Sequence, residues 1–171
     1  MIDLTEIERY KENNRLEAKK ATGGLPKSIW ESYSAFANAS GGIILLGVEE
    51  DDEHFLHPVG LSSPEWFVQE FWEIINDRDK VSANILSDRN VRIEEIDGKR
   101  IIVIEVPAAR LEQKPIYITK DPFSGTYRRI GEGDYKCMHV EVRSMLRMRE
   151  NWKKEQEKSG KISGKFYESK T

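Results

Sequence analysis

The stretch Phe36-Ala37-Asn38-Ala39-Ser40-Gly41-Gly42-Ile43-Ile44-Leu45-Leu46-Gly47-Val48-Glu49-Glu50-Asp51 decides the fold. It reads as the end of a helix, a two-glycine break, a buried strand and an acidic exit. Ile43 to Leu46 are four apolar residues in a row, two of them β-branched, and glycines bound them. Such a run suits a central strand covered on both faces. Gly41 and Gly42 permit the positive φ that ends a helix and turns the chain tightly. Glu49, Glu50 and Asp51 leave at the C-terminal end of the strand, where sites tend to form in open α/β sheets.

Toward the N-terminus, a helix is predicted from Leu25-Pro26 to Asn38, with Ile29, Tyr33, Phe36 and Ala37 on one face. Before it, residues 15 to 20 alternate. Leu16 and Ala18 lie on one side and Arg15, Glu17 and Lys19 on the other, the pattern of a half-buried strand with a charged outer face. Thr22-Gly23-Gly24 ends that strand. Residues 3 to 12 predict a short polar helix touching the core through Ile7 and Tyr10. Asn13-Asn14 is a turn signal.

Toward the C-terminus, Glu49 to Glu53 reads as an acidic loop leading to His54 and His57. Ser63-Pro64 opens a helix with Phe67, Phe71, Ile74 and Ile75 inward and Trp66 and Trp72 flanking. Val91-Ile93 and Ile101-Val103 flank Asp97-Gly98, a strong hairpin signal. Ile101 to Val106 is a second apolar run, stopped by Pro107. Residues 115 to 119 and 126 to 130 read as a second pair of strands around the loop Asp121-Gly125, broken at Gly131-Glu132-Gly133-Asp134. A last helix is expected over about 139 to 152, with Val142, Met145, Leu146 and Trp152 on its apolar side. This order gives an α/β (α+β) fold, a mixed β-sheet with helices packed on its faces. Residues 1–152 form the domain, and 153–171 have the composition of a polar tail or linker.

Composition narrows the function classes. The chain has 171 residues, 38% hydrophobic and 33% charged, with a net charge of −3. No stretch approaches the ~20 apolar residues of a membrane span, and the first residues carry no secretory signal. The expectation is a cytoplasmic protein with no membrane partner. The single Cys137 excludes an intrachain disulfide and a cysteine-based zinc site, and reads as a small buried residue. Gly41-Gly42 lacks the Lys-Ser/Thr of a phosphate-binding loop. It and Gly131-x-Gly133 are turns. The net charge does not favour nucleic acid, but distribution matters more than the sum. Local basic clusters stand at Lys19-Lys20, Arg128-Arg129, Arg143/Arg147/Arg149 and Lys153-Lys154.

Several pieces together carry a resemblance: Glu12-x-x-x-Leu16-Glu17-x-Lys19, Leu25-Pro26, Ala35-Phe36-Ala37-Asn38-x-x-Gly41-Gly42, Gly47-Val48-x-Glu50, Val106-Pro107, Lys114-Pro115-Ile116-Tyr117 and Tyr127-x-Arg129-x-Gly131. The chain resembles the Schlafen/AlbA-like DNA-binding domain, also called the divergent AAA domain, over about residues 6 to 150. In prokaryotes this domain is similar to the N-terminal part of longer transcriptional regulators. The resemblance implies a nucleic-acid-binding regulatory module, with DNA the expected partner. Lys19, Lys20, Arg128 and Arg129 would contact phosphates, Arg143 and Arg147 would form a second row, and Tyr127 would add stacking. Pairing of Arg129 with a local carboxylate such as Glu132 is the competing assignment. No cofactor is expected for this reading.

The alternative is a metal-dependent endoribonuclease, implied by eukaryotic Schlafen relatives with three acids. The matching positions are Glu12, Glu17 and Glu50, which would be both catalytic and metal-holding residues for Mg²⁺ or Mn²⁺. Glu49 or Asp51 could replace the third. Five residues separate Glu12 from Glu17, so neither one helix nor one strand brings them together. They converge only if the chain breaks at Asn13-Asn14. A third possibility is a non-catalytic scaffold or dimerisation domain, and a homodimer would double a modest basic surface. The binding readings expect the first strand, the acidic exit and the double-arginine edge on one side of the domain.

Overall fold

The computed structural model describes residues 3–10, 12 and 15–168. Its centre is a four-stranded sheet built from β1 (Leu16–Lys19), β2 (Gly42–Leu46), β5 (Val91–Ile96) and β6 (Lys99–Val106), in the order β1-β2-β6-β5. β2 runs parallel to β1, with Glu17 opposite Ile44, and antiparallel to β6, with Ile44 opposite Ile104. β5 and β6 form the hairpin expected at Asp97-Gly98, where φ is +50° and +76°. Positive φ at both turn residues matches the right-handed twist of the flanking strands.

Both faces of the sheet are covered, as the apolar run in β2 requires. Ile44, Leu46, Ile102 and Ile104 pack beneath α1 (Ile29–Asn38) and α2 (Pro64–Ile75). Tyr33, Phe36, Phe71 and Ile75 fill that layer, with Trp30 stacked on Phe71 at 4.9 Å. Leu45, Val103 and Ile101 face the other way. There they meet Leu16, Val48, Leu56 and Ile7, the last from the 3-10 turn Leu4–Arg9. Ile74 is only half-buried and Trp66 is exposed, so the inward face of α2 is Phe67, Phe71 and Ile75.

The two glycines before β2 play different roles. Gly41 has φ +79°, and its amide donates to the Phe36 carbonyl to close α1. Gly42 does not use a left-handed φ. It is there because a Cβ would stand 2.5 Å from the Phe36 ring.

Three segments depart from expectation. The acidic loop is a hairpin, β3 (Val48–Glu50) with β4 (Leu56–Pro58), which leaves the main sheet where Gly47 takes φ +86°. The Asp51 carboxylate accepts the amides of Glu53 and Phe55 at 2.8 and 2.9 Å and builds that turn. The strand expected at 115–119 makes only isolated bridges, Val81 to Ile118 and Tyr117 to Thr126. After the short helix α3 (Pro122–Gly125), β7 (Tyr127–Ile130) pairs instead with β8 (Gly133–Lys136), so Gly131-Glu132 turns a hairpin. Finally, α4 (His139–Glu168) continues through the residues whose composition reads as a tail. Lys, Glu and Gln are good helix formers, so a polar composition suits an exposed helix as well as a linker. The Asn13-Asn14 turn lies outside the described residues.

Candidate functional site: the edge of the first strand

β1 is an edge strand, and its outward groups need partners. In the parallel pairing with β2, Arg15 and Lys19 turn their carbonyls inward, accepting from Ile43 and Gly47. The Ala18 amide and the Leu16 carbonyl face out. Glu12 Oε2 accepts the Ala18 amide at 2.9 Å, and Arg129 Nη2 donates to the Leu16 carbonyl at 3.2 Å. Two long polar side chains thus close the edge and bring the acid and base clusters together.

Arg129 is the hub. Its side chain is 1% exposed and its Nη1 contacts Glu17 Oε2 and Asp134 Oδ1, both at 2.8 Å. The guanidinium lies over the Phe36 ring, 4.9 Å from the centroid. Burial works against its charge, but Asp134 and Glu17 outweigh that and hold the group protonated. Asp134 also accepts from Ser32 Oγ at 2.6 Å. Glu17 Oε1 receives Lys19 Nζ at 3.4 Å, and the same ammonium reaches Ser28 Oγ at 3.1 Å.

Glu12 stands beside Glu17 and Glu50. Burial, and hydrogen bonds shared with those two carboxylates, push its carboxyl up to about 8, against the pull of the Ala18 amide. It is therefore protonated at neutral pH. Glu50 moves the other way, lowered first by His54, whose Nδ1 is 2.6 Å away, and then by Glu12. Farther along the hairpin, His57 Nε2 lies 2.5 Å from Asp51 Oδ2. Each favours the charged form of the other, lowering Asp51 and raising His57.

The expected acids Glu12, Glu17 and Glu50 do converge, with Lys19 beside them. The double-arginine edge divides, because adjacent strand residues face opposite ways. Arg129 joins the acids. Arg128 turns to α4 and pairs with Glu141 at 3.0 Å. Arg129, expected at phosphate, and Tyr127, expected to stack on bases, are both buried, and Tyr127 donates to Glu31 at 3.3 Å. Lys19 is only 12% exposed. Lys20 is exposed and pairs with Glu49. Arg143 and Arg147 are exposed on α4. The partner carboxylates of Arg129 are Glu17 and Asp134. Asp134 was not among the expected site residues, although the cross-strand register of a tight turn at Gly131-Glu132 places it opposite Arg129.

A family model described as Schlafen, AlbA_2 matches residues 10–138. The chain belongs to the Schlafen/AlbA_2 family. A solved structure similar to this member is the N-terminal domain of a RecG-related protein from Nitrosomonas europaea. It is 31% identical, with a TM-score of 0.59, and the match covers 81% of this chain and 95% of that one. A Corynebacterium diphtheriae protein shares the fold at 19% identity and TM-score 0.51, over 75% of this chain and 26% of the other. No curated protein matches. No helix among the described residues is long and apolar enough to cross a membrane.

Proposed function

We propose that this Schlafen/AlbA_2 domain binds nucleic acid, with DNA the expected form, as a regulatory module of the transcription-factor type. The similar domain from Nitrosomonas europaea belongs to a protein named for an ATP-dependent DNA helicase. The observation that carries the reading is the exposed basic row of α4. Arg143 and Arg147 stand one turn apart, exposed, and have no ion-pair partner among the described residues. Arginine suits phosphate through its planar fork of donors. On the β1 edge, Lys20 could contact phosphate only by releasing Glu49, and Lys19 only by leaving Glu17. A homodimer would present the row twice.

The experiment is anisotropy of a labelled DNA duplex, and of single-stranded RNA, across a salt series. Arg143→Ala/Arg147→Ala is expected to flatten the log–log slope on DNA by about 0.9 per lost phosphate contact. An unchanged slope, or no binding of either nucleic acid at low salt, sinks the proposal.

The endoribonuclease reading has one observation in its favour, the convergence of Glu12, Glu17 and Glu50. The donor set does not fit a divalent cation as it stands. Arg129 already pairs with Glu17, and no group of three or more His, Cys, Asp or Glu among the described residues is arranged to hold a metal ion. Incubation of RNA with Mn²⁺, wild type against Glu17→Gln, separates the two readings.

A further inference from the structure

A groove of about 470 Å³ runs between α4 and the 3-10 turn Leu111–Gln113. Its apolar lining includes Leu111, Val140, Met145 and Met148. Leu111, Val140 and Met148 are 50–59% exposed, and Trp152 continues the stripe one turn beyond at 40%. At about 100° per residue, Val140, Ser144, Met148 and Trp152 follow one another along a single side of α4. So much aliphatic and thioether surface on one face marks a contact region rather than scattered exposure.

The charges of the groove favour one sign of partner. Lys114, Arg128 and Glu141 line it; Arg128 and Glu141 pair with each other, so the lining carries one net positive charge, at Lys114. Arg147 stands exposed on the neighbouring side of α4. Met, Leu and Val dominate the floor, and Trp152 is the one aromatic on the stripe. That favours aliphatic side chains over stacked bases.

We infer that this groove docks an acidic amphipathic helix of a partner protein. Its leucine-type anchors would pack on Val140 and Met148, and its carboxylates would face Lys114, Arg128 and Arg147. The span from Val140 to Met148 is about 12 Å at 1.5 Å per residue, which accepts anchors at i, i+3 or i+4, and i+7. This surface lies apart from the edge of β1 but shares Arg147 with the proposed nucleic-acid surface, so peptide and DNA would compete for that side chain.

The test uses the full chain and a fluorescein-labelled helical peptide of about 18 residues, long enough to form a helix. It carries Leu at the anchor positions and Glu elsewhere. Controls are a scrambled sequence and a version with Lys for Glu. Saturable binding of the acidic peptide alone is expected, weakened about tenfold or more by Met148→Asp, as for a central interface contact. Val140→Asp is the second variant, and unchanged far-ultraviolet circular dichroism and melting show that both remain folded. Equal binding of the scrambled or lysine peptide, or no effect of both substitutions, overturns the proposal. So does a wild-type dimer that Met148→Asp makes monomeric, because a second copy would then fill the groove. Displacement of the peptide by single-stranded DNA, with strand binding lost in Met148→Asp, overturns it in favour of nucleic acid.

Discussion

Replacing Glu12 by Gln tests the physics of the β1 edge. A glutamine side chain imitates the protonated acid. Its carbonyl can still accept the Ala18 amide, and its NH₂ can donate to Glu50 as the carboxyl proton does. The wild-type carboxyl is raised from 4.5 to about 8 by burial and by Glu50 and Glu17. The folded state therefore binds this proton more tightly than the unfolded chain. Stability from it is complete below the unfolded value and is lost as pH climbs through the folded one. Each tenfold gain in proton affinity is worth about 1.4 kcal/mol, so the ceiling is about 5 kcal/mol. Glu12 is only partly buried and can relax away from Glu50 once ionised, so ~2 kcal/mol is the expected loss. Urea unfolding at pH 5.5 and 8.5 measures it. Wild type should lose ~2 kcal/mol more than Glu12→Gln between the two values. Equal losses would refute the shared proton and return Glu12 to an ordinary surface acid.

Two further outcomes follow from the packing. Arg129→Met should destabilise by about 3–5 kcal/mol, because Asp134 would lose its counter-charge, Glu17 would keep only Lys19, and the Leu16 carbonyl would lose its donor. Thermal denaturation reads this, and a loss below about 1 kcal/mol would make Arg129 a dispensable surface cation. Gly42→Ala should cost about 1–3 kcal/mol by overpacking against Phe36. Thermal denaturation reads this as a lowered melting temperature, and an unchanged one would show that the Phe36 ring, which lies under Arg129, moves aside freely.

The parts of the fold written as local patterns were legible without coordinates. The β2 run, the Asp97-Gly98 turn and the inward faces of α1 and α2 each depend on spacing within a single element. The β3–β4 and β7–β8 hairpins were not legible. Their strands are only three or four residues long, too short for a period-two pattern to stand out from a loop. The site followed the same division. That Glu12, Glu17 and Glu50 could meet was readable as a possibility from the family resemblance. That Arg129 would be their counter-ion was not, because 112 residues separate it from Glu17.

The amino-acid order by itself determined a mixed sheet with a doubly buried β2, because hydrophobic periodicity reports what each residue faces. It could not determine which charges remain at the surface. Arg128 and Arg129 are chemically identical neighbours, yet one is half-exposed beside α4 and the other is sealed against β1. Only the tertiary structure decided between them, since strand alternation assigns them opposite faces and the packing of β7 on α1 decides which face is inside.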